Sequence, residues 1–535
     1  MLIKNKNEME EKIQADINYI YKNNDFMIYV DGWMDENILN LDDKIDHIPP
    51  GVFNWVKIIP KQKEIRIIND PLGQRQLFFS MDNNGFVISS NFWEVINHIR
   101  NCELNWDAIE DNIVGIRISK PYDTYVKNVY VLPAGVMATI NWGSNSKFKL
   151  EHHSKFQQRP NNKLKIEDAI DETVNSLDTT MMMVKKTWPG RKVVFGNSGG
   201  LDSRLIPLFA QRNDVEVEGY LIGDKRPKKI LLSRSAKSAD ILAKKFNINS
   251  RFLDYNMGDF LIRMERDVIV NPLGPANFFK NPLFWEYEHC LVVNAANSFI
   301  ITNDRNTWKK FILQNNIGVK LLNQYMLRKP LKGNQDYDNS TYIQNIADYF
   351  DKYINIDDTF SRIRSMHQIF WNKLSPNGGF ESLNLAGDFL FLYYPYLWKK
   401  TLEWPEAWFF DRKIQYGVFN RVGEDLAKIP PQRPKKIGDI SKIKYFLTKI
   451  DSRLRGSGID YRWWESTKWF RDADKMLNEK IDSDFLILVE KHGLTLNRNF
   501  LDYQDYYDLL KINWIINKIK KYNKNRISYL GKCSE

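Results

Sequence analysis

The segment 193–203, with the sequence VVFGNSGGLDS, restricts what this chain can fold into more than any other. Its first three residues are apolar and favour a strand. The pair Gly199-Gly200 lets the backbone approach a ligand without an intervening Cβ, and a helical pattern begins at Asp202. A glycine-rich turn at a helix N-terminus gathers free N–H groups, so this segment predicts a phosphate-binding site. We call residues 197–203 the glycine loop.

The glycine loop also carries side chains suited to phosphate chemistry. Ser198 and Ser203 supply hydroxyls. Asp202 would repel a phosphate unless a cation stood between them, which favours Mg2+. No Gly-Lys-Ser/Thr follows, so the pattern is not a Walker loop. The order Ser-Gly-Gly-x-Asp-Ser instead resembles the pyrophosphatase loop of enzymes that cleave ATP between the α- and β-phosphates. The alternative is a plain turn with a capping aspartate.

The residues around the glycine loop alternate between strand and helix patterns. Apolar residues at spacings of three and four predict a helix over 166–186. Further strands are expected at 215–222 and 250–255, with a helix at 233–246 between them. This rhythm predicts an α/β fold with a parallel sheet that binds ligands beyond the carboxyl ends of its strands. A later helix is expected at 283–296 and a strand at 298–302.

The N-terminal third is dominated by short strands separated by turns. The expected strands are 26–30, 52–59, 64–68, 77–79 and 86–90, and the expected helices lie around 93–98 and 107–112. Four motifs follow one another here: Gly51-Val52-Phe53-Asn54-Trp55, Asp70 to Leu77, Ser89-Ser90 and Leu132 to Gly135. In this order they resemble the glutamine-hydrolysing domain of asparagine synthetases.

With the glycine loop included, the chain resembles the asparagine synthetase-like family over roughly residues 26 to 440. The resemblance implies an N-terminal α+β sandwich, Ntn-hydrolase-like and of amidotransferase type, over 1–155. It implies an ATP-pyrophosphatase domain of the adenine nucleotide α-hydrolase type over 163–440. A helical C-terminal extension is expected over 441–535.

The resemblance also assigns site residues. Pyrophosphate is expected on Ser198, Gly199, Gly200, Leu201, Asp202 and Ser203, and adenine against Leu221, Ile222 and Gly223. A second phosphate and magnesium loop is expected at 303–306, where Asp304 would join Asp202 on the metal and Arg305 would contact phosphate. A plain turn is the alternative there. Lys435 is the expected catalytic cation, with Lys436 as the fallback and a solvated basic turn as the alternative.

The chain departs from the family pattern in the second loop, 303–306, where both of the family's glycines are missing, and at two single positions. Position 2 is Leu2, where the glutaminase uses a cysteine, so glutamine hydrolysis is expected to be absent, as in the similar β-lactam synthetases and lasso-peptide cyclases. Phe391 stands where the family has a glutamate that assists the attacking amine. Glu381, Asp388 and Glu403 remain open as substitutes, because spacing selects none of them.

The composition limits which binding partners and which cellular compartment are expected. Only 3 cysteines and 7 histidines are present, and no Cys-x-x-Cys occurs, which favours a reducing cytoplasm. The pair His152-His153 is expected at the surface of a polar linker, 151–162. The net charge of +11 is spread along the chain, so nucleic-acid binding is not favoured. No signal peptide or membrane span is predicted.

The sequence therefore predicts an ATP-dependent, AMP-forming ligase with ATP and Mg2+ as cofactors. Its partners would be a carboxylate and an amine, either small molecules or a peptide. A homo-oligomer or a biosynthetic partner protein remains open. The alternatives are a nucleotide-binding pseudoenzyme or scaffold subunit and, less favoured, a tRNA-modifying adenylase. An apolar stripe at Ile512, Ile515, Ile516 and Ile519 predicts a terminal helix docked on the core, with a membrane-surface helix as the alternative.

Overall fold

The fold is that of a computed structural model, and the residues that it describes are 2–5, 14–15, 19–35, 41–43, 48–82, 85–99, 102–114, 118–143, 146–223, 234–254, 264–265, 268, 273, 290–294, 340–356, 358–366, 368–369, 387–394, 396–410, 412–429, 481–492 and 503–532. Within them the chain forms two antiparallel sheets and one parallel sheet. The architecture is therefore mixed α/β.

The two antiparallel sheets are built from the N-terminal part of the chain. Their strands are β1 Leu2–Asn5, β2 Gln14–Ala15, β3 Tyr19–Lys22, β4 Met27–Met34, β5 Gly51–Ile59, β6 Glu64–Asn69, β7 Phe78–Asp82, β8 Gly85–Ser89, β9 Val129–Val131, β10 Val136–Asn141 and β11 Lys147–His152. One sheet has the order β2-β1-β8-β7-β9 and the other β11-β10-β6-β5-β4-β3. An apolar cluster with members from both sheets, Ile88 and Ile67 among them, lies between the two.

The start of this region differs from the expectation that the first strand lies at residue 26. β1 pairs antiparallel with β8, and Ile3 is completely buried between its partners. β1 was missed because a four-residue strand with the sequence LIKN is too short to show an alternating pattern. The remaining expected strands are present with shifts of a few residues at their ends.

The parallel sheet contains the strand that precedes the glycine loop. Its strands are β12 Val193–Gly196, β13 Val217–Gly223, β14 Ser250–Asp254, β15 Cys290–Asn294 and β16 Gly387–Phe391. They lie in the order β14-β13-β12-β15-β16, and every neighbouring pair is parallel. The helices α3 Ile166–Thr187, α4 Leu201–Arg212 and α5 Arg234–Phe246 confirm the predicted strand–helix alternation.

One expected helix in this region is wrong. The sequence predicts a helix over 283–296, but residues 290–294 form β15, and Cys290, Leu291 and Val293 in it are buried. A short, wholly apolar run fits a buried strand and a buried helix equally well, so periodicity cannot separate them. The expected strand at 298–302 lies outside the described residues.

Further helices are α6 Ser340–Tyr349, α7 Thr359–Met366, α8 Lys413–Val422, α9 Glu424–Lys428, α10 Ser483–Lys491 and α11 Tyr503–Lys532. The two helices of the first sheet are α1 Phe92–His98 and α2 Trp106–Val114. The isoleucine stripe of α11 is buried against α1 and α2, which confirms the docked terminal helix. None of the described helices is both long and apolar enough to cross a lipid bilayer.

The pair His152-His153 is partly buried and makes specific contacts, so the expectation of a surface pair is wrong. His153 Nε2 lies 2.9 Å from the carbonyl oxygen of Asn69, and its Nδ1 lies 2.7 Å from Ser154 Oγ. The neutral imidazole therefore donates from Nε2 and accepts at Nδ1. His152 Nε2 lies 2.7 Å from Tyr349 Oη. The prediction was wrong because the polar composition of the segment suggested that its side chains are exposed.

Candidate nucleotide-binding site

The glycine loop lies at the topological switch point of the parallel sheet. β12 has β13 on one side and β15 on the other, so the chain leaves β12 toward one side and later returns to the opposite side. In open parallel sheets ligands bind beyond the carboxyl ends of the strands at such a point. The loop begins directly after Gly196, the last residue of β12. The strand order therefore gives the loop the position of a binding site.

Gly199 needs to be glycine for two reasons. Its φ is +64°, in the left-handed region. A Cβ on Gly199 would lie 2.4 Å from Ser238 Cβ and 2.6 Å from the Ala239 nitrogen, both on α5. The room that the sequence suggested for a ligand is thus occupied, at Gly199, by a neighbouring helix.

Gly200 is the N-cap residue of α4; it is in an extended conformation and has no side chain to cap the helix. The first helical hydrogen bond runs from Arg204 N to Gly200 O at 3.2 Å. The N–H groups of Leu201, Asp202 and Ser203 therefore precede that bond and lack helical acceptors. These three amides are the donors that an anion at this helix N-terminus would meet.

The hydroxyls of Ser198 and Ser203 form hydrogen bonds within the loop. Ser203 Oγ donates to Gly200 O at 2.9 Å, which leaves Ser198 as the donor in the 3.3 Å contact between the two hydroxyls. Ser198 Oγ also accepts from Gly200 N at 3.3 Å. The bonds of Ser198 are long, so its hydroxyl can rotate toward a phosphate oxygen at small cost.

Two buried polar side chains that were not singled out from the sequence connect the loop to neighbouring elements through hydrogen bonds. Asn197 donates from Nδ2 to Ala239 O at 3.0 Å and to Ser250 Oγ at 3.2 Å. Arg204 donates to Gly199 O at 3.1 Å and to Leu426 O at 2.6 Å. Arg204 thereby ties the loop to α9, and its burial lowers its pKa. In the sequence, an arginine among the apolar residues of α4 was the feature that could have identified Arg204 as a buried contact.

Asp202 stands on the first turn of α4, partly buried. Its Oδ1 accepts a hydrogen bond from Gln415 Nε2, and Gln415 also donates to Tyr393 Oη at 3.3 Å. Desolvation raises the pKa of Asp202 above its usual value, while the charge of Arg412 and the bond from Gln415 oppose the rise. A cation bound beside this carboxylate would favour its ionised form.

The donor set fits Mg2+ bound together with phosphates. Mg2+ typically takes one or two carboxylates and fills its other positions with substrate phosphates and water. Asp202 supplies one carboxylate, and among the described residues its Oδ2 accepts no hydrogen bond. A search of the described residues finds no cluster of three or more His, Cys, Asp or Glu that could hold a metal alone.

The residues expected to contact adenine lie at the same edge of the sheet. Gly196 pairs with Tyr220 in the register of β12 and β13, so Leu221, Ile222 and Gly223 extend past the end of β12. This places their backbone beside the glycine loop.

Phe391 ends β16, level with Asn294 at the end of β15. Two strand spacings separate β16 from β12, about 10 Å. Asp388 pairs with Leu291 near the amino end of β16, so its backbone lies roughly 10 Å from the carboxyl edge. Glu403 is exposed in a short 3-10 helix at Lys400–Glu403. The placement of these residues favours neither acid as a substitute for the missing glutamate.

The remaining expected site residues fall outside the described residues: Asp304, Arg305, Glu381, Lys435 and Lys436. β15, the neighbour of β12, ends at Asn294, so the segment that follows it begins at residue 295. The assignment of 303–306 as the second phosphate loop assumed a strand at 298–302, and it stays a prediction.

Comparisons with known proteins assign no family. The sequence matches no protein-family model and no curated protein. Among solved structures, the allosteric regulatory enzyme of purine biosynthesis is 10% identical over 45% of this chain and 62% of its own, with a TM-score of 0.18. NMN synthetase from Francisella tularensis is 14% identical over 38% and 93%, with a TM-score of 0.17. NH3-dependent NAD synthetase from Campylobacter jejuni is 12% identical over 41% and 96%, with a TM-score of 0.18.

The match to the allosteric regulatory enzyme of purine biosynthesis covers 62% of the length of that enzyme, which is less than two thirds. The TM-scores of all three are too low to carry a structural argument. What this chain does is therefore inferred from its own glycine loop and from the side chains around it.

Proposed function

We propose that this chain is an ATP-dependent ligase that activates a carboxylate as its adenylate and transfers the acyl group to an amine. The observation that carries the proposal is the position of the glycine loop. It follows the central strand of a parallel sheet at the switch point, with three amides that lack helical acceptors and Asp202 at the start of α4.

In the proposed reaction a carboxylate oxygen bonds to the α-phosphorus of ATP. The bond from that phosphorus to the bridging oxygen breaks, and its electron pair leaves with pyrophosphate. An amine nitrogen then attacks the acyl carbon, AMP leaves, and the nitrogen gives up a proton. The net products are an amide, AMP and pyrophosphate.

The residues of the chain would divide this work. The amides of Leu201, Asp202 and Ser203 and the hydroxyl of Ser198 would bind the departing pyrophosphate, because they are preorganised donors at a positive helix end. Asp202 Oδ2 would hold Mg2+, which would neutralise charge on the phosphate oxygens. Lys435 and Arg305 are proposed as further cations, Asp304 as a second metal ligand, and the 221–223 segment as the adenine contact.

The proposal is tested first on binding and then on turnover. We expect the purified protein to bind ATP more tightly when Mg2+ is present, as measured by calorimetry. The variant Asp202→Asn should weaken that Mg2+-dependent affinity by roughly tenfold or more, since it removes a carboxylate ligand. The matched control Asp214→Asn changes an aspartate whose side chain is 91% exposed, and it should bind as the wild type does.

Turnover distinguishes the ligase from the pseudoenzyme. A ligase should release pyrophosphate and AMP, and not ADP, with a suitable pair drawn from a panel of carboxylates and amines. Mg-ATP binding without pyrophosphate release across a broad panel would favour a nucleotide-binding pseudoenzyme or scaffold subunit. A protein that binds no ATP in either condition would contradict both.

A further inference from the structure

Gln415 connects the glycine loop to α8, although 213 residues separate it from Asp202. The side chain is completely buried. Its Nε2 donates to Asp202 Oδ1 and, at 3.3 Å, to Tyr393 Oη. Its Oε1 accepts from Arg412 at 3.4 Å. One buried amide therefore touches a carboxylate, a phenol and a guanidinium.

The chemistry of these neighbours fixes the orientation of the amide. A carboxylate oxygen can only accept, so Asp202 requires the nitrogen of Gln415. A guanidinium can only donate, so Arg412 requires the oxygen. Reversing the amide would place its oxygen against the carboxylate of Asp202 and its N–H groups against the guanidinium of Arg412. The side chain is consequently locked in one orientation, and it holds one oxygen of Asp202 in a set direction.

Among the buried residues of α8, Gln415 is polar and the others are apolar. Ile414, Val418 and Phe419 on the same helix are all completely buried, and they supply its apolar packing. A buried amide costs free energy unless its hydrogen bonds are satisfied. The strongest of those bonds goes to Asp202 when its carboxylate is ionised. The position of Gln415 is thus explained by the carboxylate that it holds and not by the core that surrounds it.

We propose that Gln415 is a positioning residue for the metal site: it occupies Oδ1 of Asp202 and leaves Oδ2 to bind the divalent cation of the nucleotide complex. The inference rests on the proposed function, since it assigns a role within the same site. Residues that orient a metal ligand through a hydrogen bond tune the affinity of the metal. Without the amide, Asp202 would turn among rotamers, and the cation would lose an oriented ligand.

The test uses Mn2+ with ATP as the probe and the full chain as the protein. Gln415→Met keeps the length of the side chain and removes both hydrogen-bonding ends. We expect it to weaken Mn2+ binding to the protein–ATP complex about 10–100-fold, the usual effect of losing a ligand-orienting partner. The binding of ATP without a divalent cation should stay unchanged. Electron paramagnetic resonance of free Mn2+ and calorimetry give the two affinities.

Val418→Ala is the matched control, because Val418 is a completely buried apolar residue on the same helix. It should lower the melting temperature and leave Mn2+ affinity as in the wild type. Gln415→Leu provides a second apolar replacement if Gln415→Met does not fold. Unchanged Mn2+ affinity in a folded Gln415 variant would overturn the positioning role alone. A wild-type protein without cation-dependent ATP binding would overturn the proposed function as well.

Discussion

At the scale of single residues, Gly199 and Asp202 show two different uses of one loop. Gly199 is needed because α5 packs directly onto it and because its backbone is left-handed. Asp202 has one oxygen held by Gln415, and in the proposed site its other oxygen binds the cation. Gly199 is therefore required for packing, whereas Asp202 is required for the proposed cation binding. Both residues belong to the same short motif, so the motif alone does not separate them.

Replacing Gly199 with alanine tests the packing requirement. The variant Gly199→Ala should lower the free energy of unfolding by about 1–2 kcal/mol for the left-handed backbone. A further loss of roughly 1–3 kcal/mol is expected from the clash with α5. Gly190 is the matched control, because its φ is +71° and a Cβ there would meet nothing within 4 Å. Gly190→Ala should show the backbone cost alone in urea titrations, and equal losses in both variants would contradict the contact with α5.

At the scale of elements, α11 is an integral part of the layer that covers the first sheet. Its apolar face packs with α1 and α2, and Ile515, Ile516 and Ile519 on it are completely buried. The polar side is tied as well, since Lys520 Nζ lies 2.6 Å from Asp482 Oδ2 at the start of α10. Among the residues that the structure describes, the apolar cluster that holds the long helix contains N-terminal strands and helices and α10, and no strand of the parallel sheet.

Truncating one residue of this face tests the role of α11. Ile515→Ala should destabilise the protein by about 2–5 kcal/mol, the usual cost of removing a buried isoleucine side chain. Ile487 on α10 is the matched control, since it is 64% exposed. Ile487→Ala should change the free energy of unfolding by no more than about 0.5 kcal/mol. Similar small effects in both variants would show that α11 is not docked as described.

At the scale of the whole molecule, residues 152–156 join the antiparallel and parallel parts. Phe156 belongs to the cluster beneath the parallel sheet, and Val52 and Leu72 of the N-terminal part reach the same cluster. Gln368 donates to the carbonyl oxygens of Pro71 and Ser154. Burial lowers the pKa of His152 to about 3 and of His153 to about 4. The junction thus contains two imidazoles that are neutral in the folded protein.

The junction predicts an acid-dependent loss of stability. An unfolded histidine takes up a proton below about pH 6.5, whereas folded His153 does so only near pH 4. Between these values the unfolded state binds more protons, so stability falls as the pH falls. From pH 6.5 to pH 5, His153 alone should remove about 1.5 kcal/mol. Urea titrations at several pH values measure this slope.

The variant His153→Gln supplies the comparison. A glutamine can still donate to the Asn69 carbonyl oxygen but does not titrate. We expect a flatter stability profile between pH 4 and pH 6.5, with the remaining slope due to His152 and other groups. The difference in stability between variant and wild type should be constant above pH 7.5. Parallel profiles throughout the acid range would contradict the buried, neutral state of His153.

Much of the fold could be predicted because its signals are local. The strand–turn–helix at the glycine loop, the helices α3 and α5 and most N-terminal strands follow from periodicity and turn residues. β1 and β15 could not be predicted correctly. One is too short to show a pattern, and the other is apolar throughout. The partial burial of His152 and His153 could not be predicted from their polar segment, because composition does not indicate which residues will pack against it.

The sequence by itself determined the glycine loop and the order of elements around it, since these depend on residues close together in the chain. Only the tertiary structure decided where the loop lies. The strand order β14-β13-β12-β15-β16 makes its position a switch point. Only the tertiary structure joined Asp202 to Gln415, because no local pattern links residues 213 positions apart. Such contacts arise when packing brings distant elements together, and hydrogen-bond chemistry then fixes which atoms meet.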